Sequence, residues 1–225
     1  MVRIDKDGII IAGIALLASI LSLFISDFLS ILFLLFAGFT LYFFRDPERY
    51  YVENRNFLIS PADGKILFVQ RVALKNLPAE IKECISEECE HYKISIFMNV
   101  FNVHVNRAPL NGVIEKINYI RGKFFNASLD KASEFNERCV YKLKTNQGIS
   151  VIFVQIAGLI ARRIRRDVKE GDAVTKGQRV GIIRYGSRVD VYLPVTHFSP
   201  MVTANQTTVA GETIIATKTG ESEQK

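Results

Sequence analysis

Two apolar runs open the chain. Residues 8–25, GIIIAGIALLASILSLFI, and residues 28–44, FLSILFLLFAGFTLYFF, contain no charged side chain. Each is near the roughly 17–20 residues that a helix needs to cross a bilayer core. Only Ser26-Asp27 separates them, so the pattern predicts a tight helical hairpin over residues 1–45. Arg3 and Lys6 stand ahead of the first run, but no small-residue cleavage site precedes the second. An uncleaved anchor is therefore expected rather than a secretory signal. It either spans the membrane or enters and leaves on one side, because both runs are short.

Beyond the hairpin the period changes. Residues 46–63 carry charges, Pro47 and Pro61, and form a linker into a domain at 64–225. There KILFVQRVAL, YKISIFMNV, GVIEKINYI, RCVYKLKT, ISVIFVQIA, QRVGIIRYG, RVDVYLP and GETIIAT read as strands rich in β-branched and aromatic residues, most with turn residues between them. Helix is expected only at 78–90 and, more weakly, at 131–135 and 159–166. The fold class is mainly β (α+β): an antiparallel sandwich or partly open barrel with few short helices. The last six residues, GESEQK, read as a frayed tail.

Charge adds an orientation and a partner. The chain carries 29 Lys+Arg against 23 Asp+Glu, a formal net charge of +6. With a membrane hairpin present, anionic lipid is a more economical partner than nucleic acid. Arg3 and Lys6 before the hairpin, and Arg45, Arg49 and Arg55 after it, put both ends on the cytoplasmic face of the cell membrane by the positive-inside rule. Cys84, Cys89 and Cys139 are an odd set, which argues against a disulfide scaffold. Cys84, Cys89 and His91 match no zinc spacing, so no metal is expected.

The segment VKEGDAVTKGQRVGII has the strand, turn, strand grammar of a hammerhead-like fold, as in lipoyl and biotinyl carrier domains. A membrane-tethered carrier or binding module is the alternative on that ground. Its difficulty is the hairpin tip YGSR, which holds no lysine to modify.

Six segments occur in order: FFRDPER after the hairpin, SPADGKI, FMNVFNVHVNRAPLNG, VQIAGLIARRI, EGDAVTKGQRVG and RYGSRVDVYLP. Together they resemble the short, archaeal-type branch of the phosphatidylserine decarboxylases, from about residue 43 to 216. The resemblance implies a carboxy-lyase that makes its own cofactor. The proenzyme breaks its Gly186-Ser187 bond, giving a β chain of residues 1–186 and an α chain of 187–225 that stay associated. Ser187 becomes a covalent pyruvoyl group by N-to-O acyl shift and β-elimination, and no metal or diffusible cofactor is needed. That group would form a Schiff base with the serine head group of a phospholipid and take up the electrons left by carbon dioxide. The product is an ethanolamine lipid, with phosphatidylserine or an archaeal ether-linked equivalent as substrate.

Serine suits this chemistry because its hydroxyl is first nucleophile and then leaving group, and a neutral hydroxyl needs a base beside it. By resemblance His104, in FNVHVNRAP, is that histidine and the proton donor to the product carbon. Asp63, in SPADG, is the aspartate that assists self-cleavage; Asp-Gly is also a plain turn pair. Longer members of the family carry a second histidine where this chain has Arg107. For the substrate phosphate, Arg162 and Arg163 in GLIARRI, with Arg107, are the expected cations. Four arginines in ARRIRR cannot all face one way, so part of that run is a solvated or lipid-attracting face. The open edges expected of such a β domain are consistent with a homodimer.

Overall fold

The computed structural model describes residues 2–51, 53–85, 88–123, 125, 127, 135–158, 163–184 and 187–219. The expected helix at 131–135 (except Phe135), the first half of that at 159–166, the tail, Arg162 and Gly186 lie outside them. The chain divides into two units: Met1–Glu48 with Val100–Val103, and Arg49–Asn99 with His104–Lys225.

The first unit is the helical hairpin. Strand β1 (Val2–Ile4) pairs antiparallel with β2 (Arg45–Pro47) and closes the base of helices α1 (Lys6–Ser22) and α2 (Asp27–Phe43). Asp5 caps α1, its carboxylate accepting from Asp7 N at 3.0 Å. The seam is built from small residues. Gly8, Ala12, Ala15, Ser19 and Ser22 recur at alternating steps of four and three on α1, against Ser30, Ala37 and Thr40 of α2. Small side chains let the backbones approach, as they do between helices in lipid, and Ser19 Oγ donates to Ser30 O at 2.8 Å.

The outer faces are apolar. Ile10, Ile14, Leu17, Phe24, Phe28 and Leu35 are all more than half exposed. The helices are nevertheless short for a bilayer: each has 17 residues, about 26 Å at 1.5 Å per residue against a hydrocarbon core of about 30 Å. No helix among the described residues is long and apolar enough to cross a membrane. The first apolar run loses Leu23, Phe24 and Ile25 to the turn that reverses the chain.

The second unit is mainly β, and all of its named strands pair antiparallel. In chain order it runs β3 (Phe57–Ile59), β4 (Gly64–Val72), α3 (Ala79–Lys82), β5 (His91–Met98), β6 (Val105–Arg107) and β7 (Gly112–Ile120). There follow β8 (Arg138–Lys144), β9 (Ser150–Ala157), β10 (Ile164–Arg166), β11 (Ala173–Val174) and β12 (Arg179–Ile183). The last are β13 (Ser187–Pro194), β14 (Phe198–Pro200), β15 (Thr207–Thr208) and β16 (Ile214–Lys218). An eight-stranded sheet has the order β11-β7-β8-β9-β13-β5-β4-β15, with two three-stranded sheets, β10-β12-β6 and β14-β16-β3.

All eight strand patterns of the sequence fall on strands. The helix expected at 78–90 shrinks to the four residues of α3, and the chain is again a strand from His91. Residues 164–166, expected in a helix, form β10 because Ile164 pairs with Ile183 and Arg166 with Gly181. A sheet edge there satisfies backbone groups that a short, arginine-rich helix would leave to water.

Strand β13 decides the position of the site. It lies between β5 and β9, Ser187 facing Met98 on one side and Ala157 on the other. Alternation sends Val189, Val191 and Leu193 into the main core with Ile94, Ile96, Phe153 and Tyr141. Tyr192 joins a second cluster with Leu77, Ile81, Cys84, Ile152 and Val154. On that second face Arg188 and Asp190 are wholly buried as a pair, Nε to Oδ1 at 2.5 Å and Nη2 to Oδ2 at 3.1 Å. Ser95 Oγ accepts from Arg188 at 2.9 Å, and Lys93 Nζ stands 3.3 Å from Asp190.

Candidate active site

Each expected residue of the second unit comes with its own local support. The SPADG turn joins β3 to β4. Ser60 Oγ donates to Ala62 O at 2.7 Å, and Thr208 Oγ1 donates to the same carbonyl at 3.0 Å. Gly64 ends the turn at φ +148, where an added Cβ would lie 2.1 Å from the Phe97 carbonyl oxygen. Only glycine fits that approach. The turn thereby fixes Asp63, which is 9% exposed.

Two donors hold the Asp63 carboxylate. Ala210 N donates to Oδ1 at 2.7 Å, and Arg49 Nη2 lies 3.1 Å from Oδ1 and 2.9 Å from Oδ2. Arg49 also faces Glu212 at 4.0 Å. It is the last residue of FFRDPER and was not expected in the site; the signal was its place in that motif.

His104 has no exposed surface and sits just ahead of β6. Alternation with Val103 and Val105 suggested a partly exposed side, but residues 104–107 are all buried, with β6 paired to β12. The His104 carbonyl accepts from Ile183 N at 3.3 Å, which ties it to the strand leading toward Ser187. Arg107 is 4% exposed, donates from Nη1 to Gly177 O at 2.9 Å, and packs its Cδ against Gly211. It thus lies inside the fold rather than on an open cationic face. Arg163 is exposed; Arg165 pairs with Asp167 at 2.9 Å, and Arg166 stands over the Tyr119 ring at 5.8 Å.

Ser187 is also fully buried. Its hydroxyl meets Met98 Sδ at 3.8 Å, a weak acceptor. The same sulfur receives Asn106 Nδ2 at 3.6 Å. Asn106 reaches Pro61 O at 3.4 Å, and the adjacent Arg107 N donates to that carbonyl at 2.9 Å. Strand β6 and its approach thus gather the three expected groups: His104 at its start, the Asp63 turn through Pro61, and Ser187 through Met98. A cavity of about 300 Å³ lined by Arg55, Asn111, Gln147, Lys176 and Lys218 contains none of them.

A hydroxyl at Ser187, an imidazole at His104 and an arginine-held carboxylate at Asp63 are thus each kept away from water inside the second unit. That is suited to a reaction of the chain upon itself.

Comparison with known proteins points the same way. The family model described as phosphatidylserine decarboxylase matches residues 36–216. The chain is 46% identical over 216 residues to the phosphatidylserine decarboxylase proenzyme of Pelagibacter ubique, covering 96% of this chain and 97% of that one. It is 45% identical to the proenzyme of the same description from Desulfotalea psychrophila, covering 95% and 96%. With that of Rickettsia felis the identity is 46%, over 95% and 89%.

Proposed function

The chain belongs to the phosphatidylserine decarboxylase family, and on that premise we propose that it decarboxylates the serine head group of phosphatidylserine with a pyruvoyl group made from its own Ser187. The observation that carries the reading is the setting of Ser187: a buried serine opening a central strand, tied through Met98 and β6 to the surroundings of His104 and Asp63. The neighbours suit the group. Met98 and Ala157 flank residue 187 and bring no charge to compete for an electrophilic carbonyl.

When formed, the pyruvoyl group supplies a carbonyl for the substrate amine and an acceptor for the electrons released with carbon dioxide. The chain's residues do the rest. Asp63, fixed by Arg49 and Ala210, assists cleavage of the Gly186-Ser187 link. His104 serves as base in maturation and afterwards holds the proton given to the product carbon. Arg163, with Arg162, attracts the head-group phosphate, whereas the buried Arg107 holds the Gly177 carbonyl instead. Pairing of β13 on both edges, through six residues to β9 and eight to β5, keeps the 1–186 and 187–225 chains together after the cut.

The hairpin is the membrane attachment in this reading. Its exposed apolar faces and small-residue seam suit insertion as a unit, entering and leaving on the cytoplasmic side, where Arg3, Lys6 and Arg45 meet anionic head groups. A substrate that stays in the bilayer then needs only its head group to reach the second unit.

The test is a pair of variants. Ser187→Ala should yield an uncut, inactive chain. His104→Ala should lose at least about a hundred-fold in turnover, in line with general acid-base contributions. Normal carbon dioxide release by either variant sinks the reading.

A further inference from the structure

The main core contains a polar chain that the proposed reaction has not used. Tyr141, Gln155 and Asn106 have no exposed surface. Tyr141 Oη donates to Gln155 Oε1 at 2.7 Å, and Gln155 Nε2 donates to Asn106 Oδ1 at 2.8 Å. Its direction is fixed at the far end. The Pro61 carbonyl can only accept, so the Asn106 atom facing it is the amide nitrogen. The Asn106 oxygen then faces Gln155, and the Gln155 oxygen faces the tyrosine hydroxyl.

Every link is short except the last. The Asn106 amide group has two donors, and its acceptors are a carbonyl at 3.4 Å and the Met98 thioether at 3.6 Å. The first lies beyond the ordinary 2.7–3.2 Å range, and the second is a weak acceptor. A buried donor left so poorly matched is costly. Ser187 Oγ lies against the same sulfur, so the under-used donor and the reacting hydroxyl meet on one atom. An ordinary core network would close on a good acceptor; this one ends on the sulfur that Ser187 Oγ also meets.

We propose that Asn106 is the hydrogen-bond donor that stabilises charge on Ser187 Oγ as it leaves, with Gln155 and Tyr141 as positioning residues that aim it. The inference rests on the reading of Ser187 as the self-cleaved residue. In the acyl shift the base takes the Ser187 Oγ proton, Oγ bonds to the Gly186 carbonyl carbon to form an ester, the Gly186-Ser187 C–N bond breaks, and the base returns that proton to the freed amine. In the elimination a base removes the Ser187 Cα proton and the Cβ–Oγ bond breaks with its electron pair on Oγ. Oγ becomes a carboxylate oxygen of Gly186. Residue 187 is left as dehydroalanine, which tautomerises and is hydrolysed by water to the keto group and ammonia. In the second step Oγ takes the electron pair of the broken bond and departs as part of a carboxylate, and there a donor fixed beforehand stabilises the leaving group.

The experiment follows processing of the full chain, purified with its hairpin in detergent, with and without hydroxylamine, which splits esters and leaves amides intact. Asn106→Asp keeps the shape, removes both donors and sets a like charge beside the leaving carboxylate. It should slow formation of the blocked α chain by about a hundred-fold or more, the usual cost of one such donor. The stalled protein should split at residue 187 with hydroxylamine, releasing an α chain that begins with serine. Tyr141→Phe, which removes only the far donor of the chain, should show a milder delay with the same ester. An Asn106→Asp protein of unchanged melting temperature that matures at the native rate overturns the proposal, as does one that stalls as a hydroxylamine-resistant amide. If Asn106→Asp does not fold, native-rate maturation of Tyr141→Phe overturns it. A parent chain that never cuts itself refutes the proposed function instead, so the two failures are told apart.

Discussion

Removing the Arg188 charge tests how β13 is held at its first residues. Arg188 follows the residue before which the cut is proposed, and it has no exposed surface. Its guanidinium donates twice to Asp190, at 2.5 and 3.1 Å, and once to Ser95, at 2.9 Å, and lies over the Phe68 ring at 4.9 Å. Arg188→Met keeps much of the volume but leaves Asp190 buried with Lys93, at 3.3 Å, as the remaining cation. Breaking a buried pair from one side costs about 3–5 kcal/mol. With Lys93 still in place the lower end, about 3 kcal/mol, is expected. Urea unfolding of the full chain in detergent, in a Ser187→Ala background that keeps both forms uncut, should show the midpoint falling by about 1 M or more. Arg188→Met with Asp190→Leu should be more stable than Arg188→Met alone, because no carboxylate is then stranded. A single variant within about 1 kcal/mol of its parent, or a double variant costing the sum of its parts, refutes the assignment of a buried pinning pair.

Arg49→Ala should slow maturation at least about ten-fold on a timed denaturing gel, since Asp63 loses the guanidinium nitrogen shared by both its oxygens, and Arg49→Lys should restore only part of it; an unchanged rate removes Arg49 from the site. Gly64→Ala forces a Cβ to 2.1 Å from the Phe97 carbonyl oxygen and should lower stability by about 2 kcal/mol or more, read as a lower melting temperature. Burial pushes the Cys139 thiol from 9.0 up to about 11, against the Tyr141 hydrogen bond and the Arg166 charge, which lower it. Its contribution to stability is therefore complete below pH 9 and lost as pH rises toward 11. Cys139→Ala should flatten that part of the melting-temperature profile, and a profile of unchanged steepness there contradicts the assignment.

Much of this was legible because it is local. Eight strands announced themselves by period, and the hairpin by two uncharged runs. SPADG could be read as a turn because glycine's place in one is a short-range requirement, whereas the roles expected of Asp63, His104 and the Gly186-Ser187 pair came from the resemblance to the decarboxylases. What escaped depends on long-range pairing. The run 164–166 is a strand only because β12 lies beside it, and three-residue β6 has no pattern of its own. Arg49 is 14 residues from Asp63, and Gln155 is 49 from Asn106; nothing in either neighbourhood forecasts the contact. Arg107 looked like a free cation because burial of a charged side chain is decided by the carbonyl that receives it, here that of Gly177.

The central claim is that the chain cuts itself before Ser187 and turns that serine into its cofactor. Mass spectrometry of the purified full-length protein tests it most directly. The account predicts two chains from the 225 residues, of 186 and, by subtraction (225 − 186), 39 residues, the smaller lighter by one ammonia than a chain beginning with serine and blocked at its amino end. A single intact chain of 225 residues, or a 39-residue chain beginning with free serine, contradicts it.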